Sequence, residues 1–401
     1  SDDGSFDYAN MQRREYIVSD LNVGNGKAKL GGRDPLKLAD GVKAKYPAKS
    51  RGVSVGDFAE TDKTLFVSPP DVLTEYPLEG YIRMGSEVME YTRSGGIFTV
   101  KRGQFNTQID SHNSGDTVQL CAYDNDRIDK LITKFLVEGA SIPATYINSA
   151  EWEAEAIANY PVFLERLITE PEPVSDIIKE LCESAPSYIY WDERNSQIRY
   201  EAVKSPPEDL ATLNDVSHMT GSLTYSDQLK MRISRVIVYL GQVDPTKKKD
   251  EISNYAQAHI RADFDAENAA GSPAIKNVYS RWLNRFNKGG AVTLATRLGR
   301  RFAQAPRLIN FTLTSKDTDY WLGSSANLEH TELQNFDGSK GVVPAQIVSV
   351  AEKKSGYVYG GLEFYWGEEL PDDAVDGVNL IVIGADDSEI NWRTIHDSLY
   401  P

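Results

Sequence analysis

The sequence predicts an α+β protein, mainly β, built from β-barrel or sandwich domains with an α/β insertion. Three observations predict it. Short alternating segments bounded by Gly, Asp and Asn recur in both halves of the chain. Between 126 and 205 three amphipathic helical segments and a hairpin interrupt them, and a further helix at 289–304 stands among the strands of the second half. At 401 residues the chain exceeds one ordinary core, and 40% hydrophobic with 10% aromatic residues can fill more than one. The expected organisation is a β-rich domain at 1–125 with an inserted hairpin element at 80–119, an α/β insertion at 126–205, a barrel-type β domain at 206–375, and a C-terminal strand and tail at 376–401.

Each element has a local reason. Residues 14–20 read as a strand and GNGKAKLGGRD as Gly-rich turns. Asp34 is placed as N-cap and Pro35 as first position of a short helix that Pro47 bars from continuing. Residues 80–103 make the clearest hairpin: Ile82, Met84 and Val88 alternate with polar residues, Ser94-Gly95-Gly96 turns the chain, and Phe98 and Val100 resume the alternation. TVQLCAYD (117–124) closes that β region. Ile128, Leu131, Ile132 and Phe135 recur at helical spacing, with Asp126 or Asp129 as cap and Gly139 as stop. Residues 149–161 form a second helix ending before Pro161. Residues 173–186 form a third, with Ile177, Ile178, Leu181 and Cys182 on one face.

A hairpin over 188–203 turns at Asp192–Ser196, and SPPEDL (205–210) is a plausible hinge. Ile233, Val236, Val238 and Leu240 mark a long strand, and 289–306 a helix stopped by Pro306. Strands RLINFTLTSKD, VVPAQIVSVAEKK, GYVYGGLEFYWG and VNLIVIGA follow. No period of 20–50 residues repeats, which argues against a solenoid.

Lys and Arg number 43 against 59 Asp and Glu, a net charge of −16. A grip on nucleic acid needs basic side chains that displace phosphate counterions, so this balance argues against it. An acidic wall would instead let DNA slide past; the alternative is that the charge serves solubility alone. No apolar run approaches the ~18–20 residues of a spanning helix, and a mean hydropathy of −0.43 agrees with a soluble, folded chain. Cys121 and Cys182 make no disulfide framework and read as buried small apolar residues, which points to folding in the cytoplasm. The first residues carry no basic head or apolar core of a secretory signal, and Ser1 in place of Met reads as a processed or trimmed chain.

Catalytic chemistry is not visible. His112, His218, His259, His330 and His396 are scattered, and no HExxH, CxxC, phosphate-loop or GxSxG pattern occurs, so neither metal nor cofactor is expected. Glu87 with Glu90, and Asp192 with Glu193, are the acid pairs a glycosidase would use; the same residues read equally as hairpin faces and turns. YDNDRID (123–129) lacks the Gly and distant Glu of a calcium loop and reads as a turn into a helix cap. Lys247, Lys248 and Lys249 run straight into Asp250 and Glu251, a loop rather than a nucleic-acid patch. Arg297, Arg300 and Arg301 cluster on the late helix, where Arg297 and Arg301 share a face; they would pair with acids of a neighbouring subunit or stay solvated. Trp191, Trp282 and Trp321 read as core or interface. Arg297, Arg300, Arg301 and Trp282 are the candidate subunit-interface residues.

Residues 80–119 are the most distinctive stretch. Gly85, Glu87, Tyr91, Thr92, Arg102, Gly103, Thr107, His112, Gly115, Asp116 and Val118 resemble a β element recurrent in tailed-bacteriophage tail proteins. Asn106 stands where that pattern has Gly, and Asn tolerates the left-handed conformation next best. Asp34-Pro35-Leu36, Trp191-Asp192-Glu193, Arg281-Trp282 and Arg301-Phe302 extend the resemblance to the central hub or tail-tip protein of long-tailed phages, similar in turn to the baseplate hub of contractile tails.

The resemblance implies a homotrimer whose β-barrel domains form a pseudo-sixfold ring joining the tail tube to a threefold tip or fibre. Its partners would be tail tube and distal tail proteins, a tape measure protein, and genomic DNA that passes without specific binding. It implies a non-enzymatic virion protein at the tail tip, assembled in the host cytoplasm. It also implies a further N-terminal portion of the first domain ahead of Ser1. The competing expectations are a receptor- or carbohydrate-binding tail-tip protein exposing an aromatic patch, and a cell-wall hydrolase using Glu87 and Glu90.

Overall fold

In the computed structural model, residues 14–314, 319–334, 339–353, 356–367 and 381–382 are described. The expected C-terminal strand and tail at 376–401 lies outside the described residues except for 381–382. The chain divides into two compact units. Unit 1 comprises residues 1–201, 241–254 and 281–284; unit 2 comprises 202–240, 255–280 and 285–401.

Unit 1 opens on a hairpin of β1 (Ile17–Gly24) and β2 (Lys27–Arg33). Asn25 and Gly26 both take positive φ, the two-residue turn that matches strand twist. The stretch expected as Gly-rich turns is therefore mostly strand. Asp34 precedes only a single 3-10 turn, Pro35–Leu38, and makes no side-chain cap. After β3 (Lys45–Tyr46) and β4 (Val53–Ser54) come β5 (Thr64–Ser68), β6 (Glu79–Met84), β7 (Glu87–Ser94), β8 (Ile97–Lys101) and β9 (Gln119–Arg127). The expected hairpin is here, with its turn at Gly95.

Ile82, Met84, Met89, Tyr91, Phe98, Val100 and Val118 pack on one face of this sheet with Phe58, Leu65 and Tyr76. Burying each such side chain contributes about 1.5–3 kcal/mol. Next are α1 (Ile128–Lys134), α2 (Ser149–Asn159), β10 (Phe163–Ile168), β11 (Glu172–Pro173), α3 (Val174–Ser184), β12 (Ser187–Asp192) and β13 (Gln197–Ala202). β10 pairs antiparallel with β9, giving a seven-stranded order β10-β9-β6-β7-β8-β5-β4. β9 runs directly into α1, so neither Asp126 nor Asp129 caps that helix; Arg127 holds the cap position without a side-chain bond. A π-helical turn, Phe135–Gly139, ends it at the expected glycine.

Unit 2 holds a six-stranded sheet and a four-stranded one. β14 (Thr212–Asn214), β15 (Thr224–Asp227), β19 (Arg307–Leu313), β20 (Ser325–Gln334), β21 (Lys340–Lys353) and β22 (Gly356–Glu363) run in the order β14-β20-β21-β22-β19-β15. Ile309, Phe311, Leu328, Ile347 and Tyr359 are at its core. β16 (Arg235–Gln242), β17 (Tyr255–Ala262), β18 (Ile275–Tyr279) and β23 (Ile381–Val382) run β18-β16-β17-β23, with α4 (Phe264–Ala270) between β17 and β18 in sequence. α5 (Lys288–Phe302) packs on β17.

The α+β, mainly β class holds. The expected barrels do not: every sheet is open, with no closed barrel among the described residues. In the larger unit 2 sheet one edge is the three-residue β14 and the other the fully exposed β15, too short and too solvated to close a ring.

Candidate functional site

The 80–119 element is organised around one buried carboxylate. Glu87 opens β7 at 0% exposure. Arg102 grips it through two parallel bonds, Nε to Oε1 and Nη2 to Oε2, both 2.7 Å. The Gly103 N–H donates to Oε1 (3.0 Å) and the Asp110 N–H to Oε2 (3.3 Å), while His112 Nε2 lies 2.9 Å from Oε2. Burial alone would raise the Glu87 pKa; Arg102, His112 and the two backbone donors outweigh it and hold the carboxyl below its usual range. Arg102 in turn donates to the carbonyls of Ala59 and Asp110 and lies 4.3 Å over the Phe58 ring.

The other residues of the resemblance hold the same loop. Thr107 Oγ1 accepts from the Val88 N–H (3.0 Å) and donates to the Gln104 carbonyl (2.7 Å). Asp116 accepts from the Asn113 N–H (2.9 Å), and Tyr91 donates to the Pro77 carbonyl (3.1 Å). Gly103 has φ +60°, and a Cβ there would come within 3.0 Å of Ile109 Cγ1. Asn106 adopts φ +57°, so the left-handed turn expected of it is formed.

This geometry separates the acids. Positions three apart on a strand face opposite sides of the sheet, and Glu90 pairs with Lys101 (3.0 Å) while Glu87 is buried with Arg102. Asp192 is spent on the turn after β12, accepting from the Arg194 and Asn195 N–H groups. Glu193 pairs with Arg14 (3.5 Å). Asp124 in YDNDRID bonds Lys134 (2.5 Å), and Asp129 bonds Arg127 (3.0 Å). Among the described residues no group of three His, Cys, Asp or Glu side chains could hold a metal, and no helix is long and apolar enough to cross a membrane. Cys121 is buried, which pushes its thiol up to about 12; Cys182 is half-buried.

A second charge cluster in unit 1 was not expected from sequence. Arg166 on β10 and Arg281 hold Glu180 of α3 between them at 2.9 Å each, and both arginines also pair with Glu172. Lys249 reaches Glu180 at 3.1 Å. Burial would raise the Glu180 pKa, but Arg166 and Arg281 outweigh it and lower the pKa. The signal available in sequence was weak: five charged residues spread from 166 to 281.

Each candidate interface residue has its place. Trp282 is fully buried in unit 1, its ring 5.9 Å from Phe135 and under Arg166. On α5, Arg297 donates to the Val203 carbonyl, Arg300 to that of Gly367 (2.8 Å), and Arg301 to that of Glu363 (2.9 Å). Arg301 is buried, 4.5 Å over Phe364, while Arg297 and Arg300 are half-buried. The i, i+4 spacing of Arg297 and Arg301 was legible; the acceptors, backbone carbonyls far along the chain, were not.

One aromatic group lies on the other face of the unit 1 sheet. Tyr81, Phe105 and Tyr123 have ring centroids 5.1–6.4 Å apart. Tyr123 is 47% exposed and donates to Glu165 (3.1 Å), which also accepts from Asn125 (3.4 Å).

No family model and no curated protein matches the sequence. Among solved structures, a chain from the virion of a native gene transfer agent particle is similar at 13% identity and TM-score 0.38, covering 60% of this chain. This chain spans 49% of that one's length. The 43 kDa tail protein of prophage MuSo2 from Shewanella oneidensis is 11% identical, with TM-score 0.37 and coverage of 90% of this chain and 100% of its own. A tail protein from Neisseria meningitidis MC58 is 11% identical, with TM-score 0.36 and coverage of 85% and 95%.

Proposed function

We propose that this chain is a structural protein of a phage tail, forming a homotrimeric hub that joins the tail tube to the tip or fibre. The observation that supports it is the 80–119 element: the residue types that carry the tail-protein resemblance do structural work in one loop, with Glu87 satisfied from four neighbours. A carboxylate so fully bonded shapes a loop and has no lone pair to spare for acid–base chemistry. The hub catalyses no reaction. Three copies of an acidic chain around a channel would let DNA pass without sticking. In this reading 1–125 and 206–375 are the hub domains, 126–205 the insertion and 376–401 the tail. Subunit contact is assigned to the surfaces of the elements carrying Arg297, Arg300, Arg301 and Trp282; each arginine also gives one bond to a backbone carbonyl of its own chain, and Trp282 itself is buried.

Light scattering across a concentration series tests this directly. The expected mass is three times the 44.6 kDa chain. A monomer at every concentration, together with absence of the chain from purified tails, would overturn it.

A second reading, a carbohydrate-binding tail-tip protein, is favoured by one observation. Tyr81, Phe105 and Tyr123 present rings beside a Glu165–Asn125 pair, the mix of apolar face and hydrogen-bonding rim that a sugar takes. Binding to a host-surface glycan that is lost in Tyr123→Ala would favour this reading over the hub.

A further inference from the structure

Among the described residues, Arg261 is a buried cation with an unsatisfied donor. It lies on β17 at 5% exposure, and its Nη1 has no hydrogen-bond acceptor among the described residues. The nearest acid in sequence, Asp263, spends its side chain on the Ala266 N–H as cap of α4 (2.9 Å). Burial lowers the Arg261 pKa, Asp263 raises it, and Arg300 lowers it further, so the local charges do not compensate the guanidinium. The fold nevertheless makes room for it. Gly299 sits inside α5, where Gly costs about 1 kcal/mol relative to Ala, and a Cβ at that position would collide with Arg261 Nη1. A buried charge with an unsatisfied donor needs an explanation, and an anion bound beside it is one.

The guanidinium lines a cavity of about 640 Å³ in unit 2, within the size range of small-ligand sites. Arg232, Arg300, Asp263, Asp265 and Tyr365 share its wall. Arg232 is committed to the carbonyls of Ala266 (3.2 Å) and Ser272 (2.6 Å). Three guanidiniums against two carboxylates leave one positive charge in the lining, which suits a monoanion better than a phosphate dianion. The planar fork of Arg matches a carboxylate through two parallel bonds. We propose that this cavity is a carboxylate-binding site with Arg261 as its anchor and Arg300 as its flanking cation. The carboxylate comes from a free small molecule or from an Asp or Glu side chain of a polypeptide.

The test uses the full chain in calorimetric titrations and thermal melts with two probes, sodium butyrate and acetyl-Gly-Glu-Gly-amide, each against sodium chloride at matched ionic strength. Saturable binding of at least one probe is expected, weakened by about tenfold or more in Arg261→Met and substantially in Arg261→Lys, which keeps charge without the fork. Tighter binding of butyrate assigns the site to a free carboxylate, and tighter binding of the peptide to a protein side chain; both support the proposal. Without probe, Arg261→Met should melt above the parent, because it removes an uncompensated buried charge. Absence of saturable binding, equal binding by parent and Arg261→Met, or a lower melting temperature for that variant without probe would each overturn the proposal.

Discussion

Glu87 and Arg261 are both more than nine-tenths buried, and the protein treats them in opposite ways. Glu87 receives bonds from Arg102, Gly103, Asp110 and His112, and its counter-ion is itself bonded to three backbone carbonyls and an aromatic face. Arg261 has beside it Asp263, already engaged as a helix cap, and a glycine that merely makes room for it. Desolvation costs each charge several kcal/mol. Among the described residues, only the first recovers that cost. Burial therefore does not distinguish a fold-holding charge from a ligand-holding one, whereas the count of satisfied donors and acceptors does.

Arg102 carries the largest expected effect. Arg102→Met strands Glu87 in the interior and should cost about 3–5 kcal/mol, read by urea denaturation; a loss under 1 kcal/mol would place Glu87 in the same class as Arg261. Gly103→Ala should cost about 1–2 kcal/mol, since an L side chain must adopt left-handed backbone there; an unchanged midpoint would mean the loop readjusts freely.

Acid sharpens the contrast. The folded-state pKa of Glu87 is depressed, so its stabilisation is complete above the ordinary carboxylate range near ~4.3 and is lost as pH falls through the folded value. Unfolding free energies measured from pH 7 to pH 3 should therefore decline less steeply in Glu87→Gln than in the parent, once corrected for the variant's lower starting stability. Parallel curves would show that this carboxyl titrates normally. Glu90→Ala, which removes an exposed pair with Lys101, should move stability by less than about 0.5 kcal/mol.

Sequence showed the 80–119 element because its signals are local. Alternation placed Ile82, Met84, Phe98 and Val100 inward, and turn residues marked the reversals. The partners of Glu87 were not legible, because two of them are backbone N–H groups whose positions depend on loop closure. β10 and β17 were missed for a related reason: buried on parts of both faces, they show no strict alternation; β20 alternates in burial, but the small Ala326 and the polar His330 among its inward residues blur the hydropathy signal. Arg261 gave no signal of its own in the run IRADFD, but its counterpart did. An isolated glycine in the amphipathic pattern of α5 asked for a packing reason, and the guanidinium supplies it.

The interleaving of the two units has a consequence for synthesis. A chain emerging from the ribosome N-terminus first would have all of residues 1–201 available while unit 1 was still incomplete. Until Lys249 and then Arg281 emerge, Glu172 and Glu180 share the single cation Arg166, and the space under its guanidinium lacks Trp282. The first unit to begin folding therefore cannot be sealed until Asn284 has been made. Truncations ending between 201 and 280 should accumulate as protease-sensitive chains rather than as a stable N-terminal half.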